Sequence, residues 1–399
     1  MKILKKEKKF KRGDRVHYGG GVIDDREITA ILKTIQEGNG ANWTVGKKGV
    51  EFEGVLSSYT KHKYVTLTNS GSSALLLALV ALNLPKDSLV MIPATCFPTA
   101  YSAIIYAGYK PLVVDSDPDS FNIDLEAVSG AFQRLGRDIK AVIAVNIAGN
   151  IPDLDFIRGL CRTYGAKLVL DNCDGFGGKY KGKPVEYAAD VACTSFHAAH
   201  IISMGEGGAV FTSDHGVADR VKQLRDWGRE DGTDKPTTIK SLPKGYPRRY
   251  SYPVLGFNLK PLELQAAMGI VQFKKMEKFK KMRANNWNAL LGIFGKYPNL
   301  FATKVVTADA DPCWFSFPVS VLGDKSKFVQ WMEKHNIETR PIFAGNITKH
   351  TASLKTVGTF DGADFIMEHG MFIGCSPRTT KEMIGYIEKV VDEYARKES

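Results

Sequence analysis

Short apolar runs alternate with longer stretches of helical periodicity over the first two thirds of the chain. Strand-length runs span residues 64–68, 89–92, 111–114, 141–146, 167–170, 191–196 and 208–212, whereas residues 25–37, 72–84, 153–164 and 217–227 have the length and spacing of helices. Strands that alternate with helices are typical of an α/β protein. We therefore predict a large domain built on a mostly parallel, seven-stranded sheet.

The pattern changes after residue 230. Residues 231–247 are rich in Gly, Pro, Thr and Lys and predict a surface loop, after which Pro261 opens a long helix. Strands at 315–321 and 338–343 and helices at 325–335 and 380–394 predict a smaller α/β domain. The chain is thereby divided into a basic N-terminal arm (1–20), a large domain (21–260), a connecting helical region (261–313) and a small C-terminal domain (314–399).

The composition is that of a globular protein. With 399 residues, 44% of them hydrophobic, the chain can bury a large core. Its longest apolar runs fall short of the ~20 residues that a membrane helix needs, and its first residues lack the apolar stretch of a secretory signal. We therefore expect a cytoplasmic protein without a membrane partner.

The net charge of +11 is concentrated at one end, because residues 1–15 contain eight Lys or Arg and two acidic residues. This arm is either solvated or helps to attract an anionic nucleotide or a partner subunit. It has no interleaved aromatic residues and no nucleic-acid module follows it, so no nucleic-acid partner is expected. The six cysteines are scattered and form no CxxC pair, which predicts neither a disulfide framework nor a zinc site.

The segment between the last two predicted strands of the large domain, residues 195–208, reads SFHAAHIISMGEGG and contains no lysine. Its His200 can carry protons near neutral pH. His197 and His200 could also be two metal ligands three residues apart on a helix. No third ligand of suitable spacing accompanies them, so no metal site is predicted.

This segment resembles the signature of the sugar aminotransferases of the DegT/DnrJ/EryC1/StrS family. In that family a lysine five residues after the strand's serine, here Ser195, holds pyridoxal phosphate as a Schiff base, and His200 stands at that position. An imidazole cannot form this bond. The resemblance therefore implies the aspartate-aminotransferase-like fold (fold type I) and pyridoxal or pyridoxamine 5′-phosphate bound non-covalently.

Further positions fit such a cofactor. Gly71 and Ser72 open a helix after a strand, and the positive end of that helix suits a phosphate, although plain capping gives the same pattern. Asp171 ends a strand at the carboxyl edge of the sheet, where it would pair with the pyridine nitrogen unless it only caps the next turn. Phe97 stands where the family has an aromatic residue stacked on the ring, the alternative being core packing. The resemblance also implies a phosphate contact from Ser195.

Two more segments resemble the family. Residues 171–177, DNCDGFG, resemble its Glu-Asp-x-x-Gln-x-x-Gly pattern, with Leu170 in place of the Glu and Asp174 in place of the Gln that lies near the ring hydroxyl. Residues 256–260, GFNLK, resemble its Gly-Tyr-Asn-Tyr-Arg element. The Asn of that element reaches the phosphate bound by the other subunit, so Asn258 implies a homodimer.

The histidine substitution resembles a branch of 4-keto-6-deoxysugar 3-dehydratases. The resemblance implies that L-glutamate gives its amino group to the cofactor, and that His200 then removes a proton from the cofactor's C4′ carbon while the C3 hydroxyl of a nucleotide-linked 4-keto-6-deoxyhexose leaves. The expected substrate is GDP-4-keto-6-deoxymannose, and the product belongs to 3,6-dideoxysugar and lipopolysaccharide O-antigen biosynthesis. Arg229 and Arg340 are cationic candidates for a substrate phosphate or carboxylate, or are surface residues.

Three alternatives stay open. A reductase-coupled CDP-sugar 3-dehydrase carries an iron–sulfur cluster whose cysteines follow a Trp-Gly-Arg-Asp run, but residues 230–247 of this chain contain no cysteine, so no cluster is expected. A nucleotide-sugar aminotransferase would leave nitrogen in its sugar product. A non-catalytic relative would only bind the nucleotide sugar.

Overall fold

The computed structural model describes residues 9–38, 41, 43–231, 233, 235–350 and 358–398, so residues 1–8 of the predicted basic arm lie outside the described set. The helices are α1 (Asp25–Gly38), α2 (Lys47–Thr60), α3 (Gly71–Leu82), α4 (Pro98–Tyr106), α5 (Leu125–Leu135), α6 (Leu154–Tyr164), α7 (His215–Arg225), α8 (Glu263–Phe273), α9 (Met276–Phe294), α10 (Lys325–Lys334), α11 (Asp361–His369) and α12 (Lys381–Glu398). Among the helices of these residues, none is both long and apolar enough to cross a membrane.

The strands follow the predicted apolar runs closely in the large domain. They are β1 (Tyr64–Thr68), β2 (Leu89–Pro93), β3 (Lys110–Val114), β4 (Ile139–Val145), β5 (Lys167–Asp171), β6 (Lys179–Tyr180), β7 (Lys183–Pro184), β8 (Val191–Ser195), β9 (Gly208–Thr212), β10 (Phe301–Thr303), β11 (Ala310–Asp311), β12 (Ser316–Val321), β13 (Thr339–Pro341) and β14 (Gly370–Gly374).

A seven-stranded sheet in the order β1-β9-β8-β5-β4-β2-β3 forms the centre of the large domain. Strand β9 is antiparallel to both neighbours, and the other adjacent pairs are parallel. Helices α3, α4 and α7 pack on one face of the sheet, whereas α2, α5, α6 and α8 pack on the other. This arrangement confirms the predicted fold class. The prediction succeeded because strands that are covered by helices on both faces are apolar throughout, and such runs are easy to recognise in the sequence.

The second core belongs to the smaller sheet, which has the order β10-β12-β14-β13 and is antiparallel throughout. Helices α9, α10 and α12 cover it. Strand β10 comes from the region predicted as a connector. The strand predicted at 338–343 is limited to β13, while β14 and α11 were not predicted.

The long helix predicted from Pro261 is in fact two helices. Helix α8 ends at Phe273 and α9 begins at Met276. Between them, Lys275 turns its ammonium group inward, 2.5 Å from Glu27 and 2.9 Å from Asp24. The prediction failed here because this buried ion pair joins residues about 250 positions apart, which local periodicity cannot reveal.

Candidate active site

A pocket of about 440 Å³ opens where the carboxyl ends of β4, β5 and β8 face the small domain. Because loops at this edge of a parallel sheet converge, it is the usual place for a ligand in an α/β protein. Eight of the ten predicted site residues line the pocket: Gly71, Ser72, Phe97, Asp171, Asp174, Ser195, His200 and Arg340.

The start of α3 forms one wall of the pocket. The Ser70 side chain caps this helix by accepting a hydrogen bond from the Ser73 amide at 3.1 Å. A Cβ atom at Gly71 would lie 2.6 Å from the Ser195 Cβ and 2.8 Å from the Cys173 Sγ, so only glycine fits here. The positive end of α3 is thereby held against the ends of β5 and β8, where it favours an anion.

Asp171 lies at the end of β5 with 6% of its surface exposed. Its Oδ1 accepts a hydrogen bond from the Cys173 amide at 3.1 Å. Burial raises the pKa of this carboxyl group. A buried carboxylate is costly without a cationic partner, and among the described residues none forms a salt bridge with Asp171, so a cationic ligand group would complete the site.

His200 lies in the loop after β8, beside a second buried acid. Its Nε2 is 3.6 Å from the Asp174 Oδ1, and its ring packs edge-on against Phe315 at 5.4 Å. Burial, and then the neighbouring His197, lower the pKa of His200, so its imidazole is neutral. Burial, and then Asp171, raise the pKa of Asp174. The His200 Nδ1 is buried and has no hydrogen-bond partner by distance among the described residues.

Arg283 on α9 was not singled out in the sequence, yet it holds the His200 loop. This side chain is only 1% exposed, and it donates to the carbonyl oxygens of Phe315 at 2.8 Å, Trp314 at 3.0 Å and His200 at 3.5 Å. The sequence did carry a signal for it. Arg283 is the one charged residue in the series 279, 283, 287 and 290, whose other members are Phe, Trp and Leu.

The outer wall of the pocket is aromatic. Phe97 is 50% exposed and lies edge-on to Phe343 at 5.9 Å, which excludes the core-packing alternative for Phe97. The Arg340 guanidinium lies 4.4 Å from the ring centroid of Tyr18. Tyr18 and Phe343, which sequence reasoning missed, come from the N-terminal arm and from the small domain, and their approach depends on the tertiary fold.

Two predicted residues lie elsewhere. Arg229 pairs with Asp226 at 2.6 Å and lines a second, more polar pocket of about 910 Å³. Asn258 is exposed and forms an isolated bridge with Asp226. The folded chain therefore does not bring Arg229 or Asn258 to the His200 pocket of the same subunit.

Known proteins resemble the chain over most of its length. The sequence profile of the DegT/DnrJ/EryC1/StrS aminotransferase family matches residues 22–392. The chain is 32% identical to the lipopolysaccharide biosynthesis protein RfbH of Salmonella typhimurium, covering 94% of this chain and 90% of that protein. It is 30% identical to a dTDP-4-dehydro-2,6-dideoxy-D-glucose 3-dehydratase of Saccharopolyspora spinosa, covering 95% and 86%.

A solved structure agrees with these sequence similarities. The GDP-4-keto-6-deoxy-D-mannose 3-dehydratase of Escherichia coli, with bound hydrated PLP, superposes with a TM-score of 0.85 and 25% identity, covering 94% of this chain and 99% of that one.

Proposed function

The chain belongs to the DegT/DnrJ/EryC1/StrS aminotransferase family, as the segment around His200 predicted, and we propose that it acts as a pyridoxal-phosphate-dependent 3-dehydratase. Its substrate is a nucleotide-linked 4-keto-6-deoxyhexose, with GDP-4-keto-6-deoxymannose as the expected compound and L-glutamate as the amine donor. The proposal depends on one observation. His200, a base without an amine, lies in the pocket where a tethering lysine is expected.

The residues present fit the cofactor. The phosphate would lie at the start of α3, held by Gly71, Ser72 and the Ser195 hydroxyl. The buried Asp171 would pair with the protonated pyridine nitrogen, which supplies the cation that this carboxylate lacks. The half-exposed ring of Phe97 offers a flat apolar surface for the pyridine.

Non-covalent binding follows from what lines the pocket. No lysine occurs among the described residues that line it. Bound pyridoxal phosphate supplies an electron sink for charge that develops next to its nitrogen. The chain then has to hold the cofactor by its phosphate, ring and pyridine nitrogen alone. It also has no lysine amine in the pocket that could replace the sugar's nitrogen on the cofactor and so release an amino sugar. This favours loss of the hydroxyl over amino transfer.

His200 is the group that moves the proton. Burial lowers the pKa of His200, so its imidazole is unprotonated before the reaction and would be free to accept a proton from the cofactor's C4′ carbon and return it. Asp174 lies 3.6 Å from the His200 Nε2, near enough to orient the ring and to stabilise the imidazolium that forms. Arg340 remains the candidate for a substrate phosphate or carboxylate, because it lines the same pocket. Arg229 could reach a substrate only from its separate pocket or across a subunit interface.

A homodimer would complete the site. Asn258 lies on the surface beside a row of exposed apolar side chains, here called the apolar ridge: Tyr250, Tyr252, Val254, Leu255 and Phe257. Exposed apolar groups in such a row are typical of a surface that is covered by another protein. A second copy placed on this ridge would bring its own Asn258 toward a neighbouring phosphate site.

Product analysis tests the proposed activity. The protein with PLP, L-glutamate and GDP-4-keto-6-deoxymannose should yield 2-oxoglutarate, ammonia and a nucleotide sugar that is lighter by one oxygen atom. His200→Asn should lower turnover by a factor of ~10² to 10⁴, because a positioned base is lost, while PLP still binds. A sugar product that keeps nitrogen would instead show an aminotransferase. Cofactor binding without any turnover of this or a dTDP- or CDP-linked analogue would show a non-catalytic relative.

A further inference from the structure

Two thiols and one carboxylate lie together at the base of the pocket. The Sγ atoms of Cys173 and Cys193 and a carboxylate oxygen of Asp171 are all within 4.8 Å of one another. Cys193 is paired in register with Asp171 on the adjacent strand, and Cys173 follows Asp171 by two residues, so three rigid backbone positions set this arrangement. The proposed dehydratase chemistry makes no use of either thiol.

The cluster lies against the start of α3. The Cys173 Sγ lies against Gly71, the first residue of α3, since a Cβ atom there would come within 2.8 Å of it. Burial raises the pKa of Asp171, and the hydrogen bond between the two thiols, followed by burial, raises the pKa of Cys173. Asp171 and Cys173 both line the pocket, whereas Cys193 is fully buried, with its Sγ within 4.8 Å of the other two ligand atoms. An ion would therefore reach the cluster from the pocket, past Asp171 and Cys173.

We propose that Cys173, Cys193 and Asp171 form a binding site for a thiophilic divalent cation, of the zinc or cadmium class, that competes with the cofactor for Asp171. Two sulfur ligands and one oxygen ligand suit such ions, and water in the pocket that Asp171 and Cys173 line would supply the fourth ligand. With metal–sulfur bonds of about 2.3 Å, tetrahedral ligand atoms lie a little under ~4 Å apart, so the side chains have to close by roughly 1 Å.

Binding of the cation changes no oxidation state, so it needs no oxidant or reductant. The cation forms two bonds to sulfur and one to oxygen, and each thiol that becomes a ligand releases its proton to solvent. A carboxylate that is bound to the cation cannot also pair with a pyridine nitrogen. Cation and cofactor therefore exclude each other. Only this competition rests on the proposed function, whereas the cation site itself does not.

Equilibrium dialysis of the full-length, cofactor-free chain against cadmium tests the site. We expect one cadmium ion per chain, with an ultraviolet cadmium–thiolate band. Cys173→Ser and Cys193→Ser should each weaken binding at least about tenfold, because each removes a direct ligand. Cys161→Ser is the matched control, since Cys161 is also a buried free thiol but lies on α6. Far-UV circular dichroism verifies that the variants fold.

The outcomes separate this site from the dehydratase proposal. Equal cadmium binding by Cys173→Ser and by the unchanged chain, or equal loss in Cys161→Ser, would overturn the cation site. Prior saturation with PLP should weaken cadmium binding at least about tenfold through loss of access to Asp171. Undiminished binding in its presence would overturn the competition. The dialysis needs no turnover, so an inactive protein can still give either result.

Discussion

In the proposed site, His200 provides an imidazole at the position expected for a lysine amine, and the two groups react differently with an aldehyde. A lysine at position 200 would place an amine beside the cofactor's reactive carbon. For His200→Lys in the presence of PLP, borohydride reduction should fix the cofactor to the chain, which the mass of the intact protein and of its peptides would reveal. His197→Lys is the matched control, because His197 lines the same pocket. A label that appears equally in both variants would contradict the position assigned to the cofactor.

Burial of His200 also has a consequence for stability against pH. Its neighbours are Asp174, His197 and Arg283, and burial, followed by His197, lowers its pKa from the ordinary value of 6.5. Below pH 6.5 the unfolded chain therefore binds a proton at this position that the folded chain does not, so stability falls as the pH falls.

Chemical denaturation at several pH values between 6.5 and 5 checks this effect. The free energy of unfolding of His200→Asn should fall less steeply with decreasing pH than that of the unchanged protein, by up to ~1.4 kcal/mol per pH unit. Parallel curves for the two proteins would show that His200 is accessible enough to be protonated in the folded state.

Much of the candidate site was predictable from single positions, most of them on the large domain, with Arg340 as the exception from the small domain. Asp171 and Ser195 end apolar strands, and Gly71 starts a helix after a strand, so local pattern places all three at one edge of the sheet. Tyr18 and Phe343 reach the same pocket from distant parts of the chain. Their approach depends on how the small domain and the N-terminal arm pack, and no local pattern encodes that.

Helix α9 joins the two cores through Arg283, which makes this helix a support for the His200 loop. Arg283→Met removes three hydrogen bonds that Arg283 donates to carbonyl oxygens. One of these oxygens belongs to His200 itself. We expect glutamate to convert the bound aldehyde form of the cofactor to its amine form up to ~10²-fold more slowly, because the base is misplaced. Arg283→Lys should recover part of the rate. The loss of the nearby positive charge in Arg283→Met should also raise the pKa of His200, an effect that a purely structural role would not produce.

A matched control for Arg283 lies one turn earlier on the same helix. Lys280 is also buried, but it donates to the Gly177 carbonyl and to Asp311, away from the pocket. Lys280→Met should leave the rate of the glutamate reaction almost unchanged in folded protein. If both variants slowed it equally, the support given by Arg283 would be a general effect of α9 packing.

Helix α2 depends on a distant residue for its N-terminal cap. Gly46, at the N-cap, has no capping side chain, and the Glu263 carboxylate accepts hydrogen bonds from the amides of Gly46, Lys48 and Gly49 at 2.7–2.9 Å. This cap also fixes α2 against α8. The sequence analysis missed α2, because its stabilising partner lies more than 200 residues away.

Removal of that cap tests its contribution. Glu263→Ala leaves three amide groups without their charged acceptor and should lower the free energy of unfolding by about 2–4 kcal/mol. Urea denaturation would measure this loss. Glu277→Ala, which removes an exposed acid from the first turn of α9, should change it by less than about 0.5 kcal/mol. Equal effects of the two variants would mean that the Glu263 contacts contribute little.

The role proposed for Asn258 requires a second copy of the chain. Within one chain Asn258 lies away from the His200 pocket, and the apolar ridge beside it exposes Leu255 by 97%. If a second copy covers this ridge, a charge at Leu255 has to be buried in the interface at a high free-energy cost. Leu255→Asp should therefore shift the sedimentation behaviour from dimer to monomer and weaken PLP binding at the same time. Tyr187→Asp, at a side chain that is 43% exposed but distant in sequence from the ridge, should change neither.

Asn258→Ala separates assembly from cofactor binding. If its amide reaches the phosphate in the partner subunit, this variant should stay dimeric and yet bind PLP roughly 10- to 100-fold more weakly, because a hydrogen bond to a charged group is lost. A mixture of Asn258→Ala chains with His200→Asn chains adds a stricter test. Only a dimer whose active sites take residues from both subunits can combine the two variants into an intact site. One of the two sites in such a mixed dimer would combine a native Asn258 with a native His200, so activity should reappear. Absence of this complementation in proven mixed dimers would place Asn258 outside the active site.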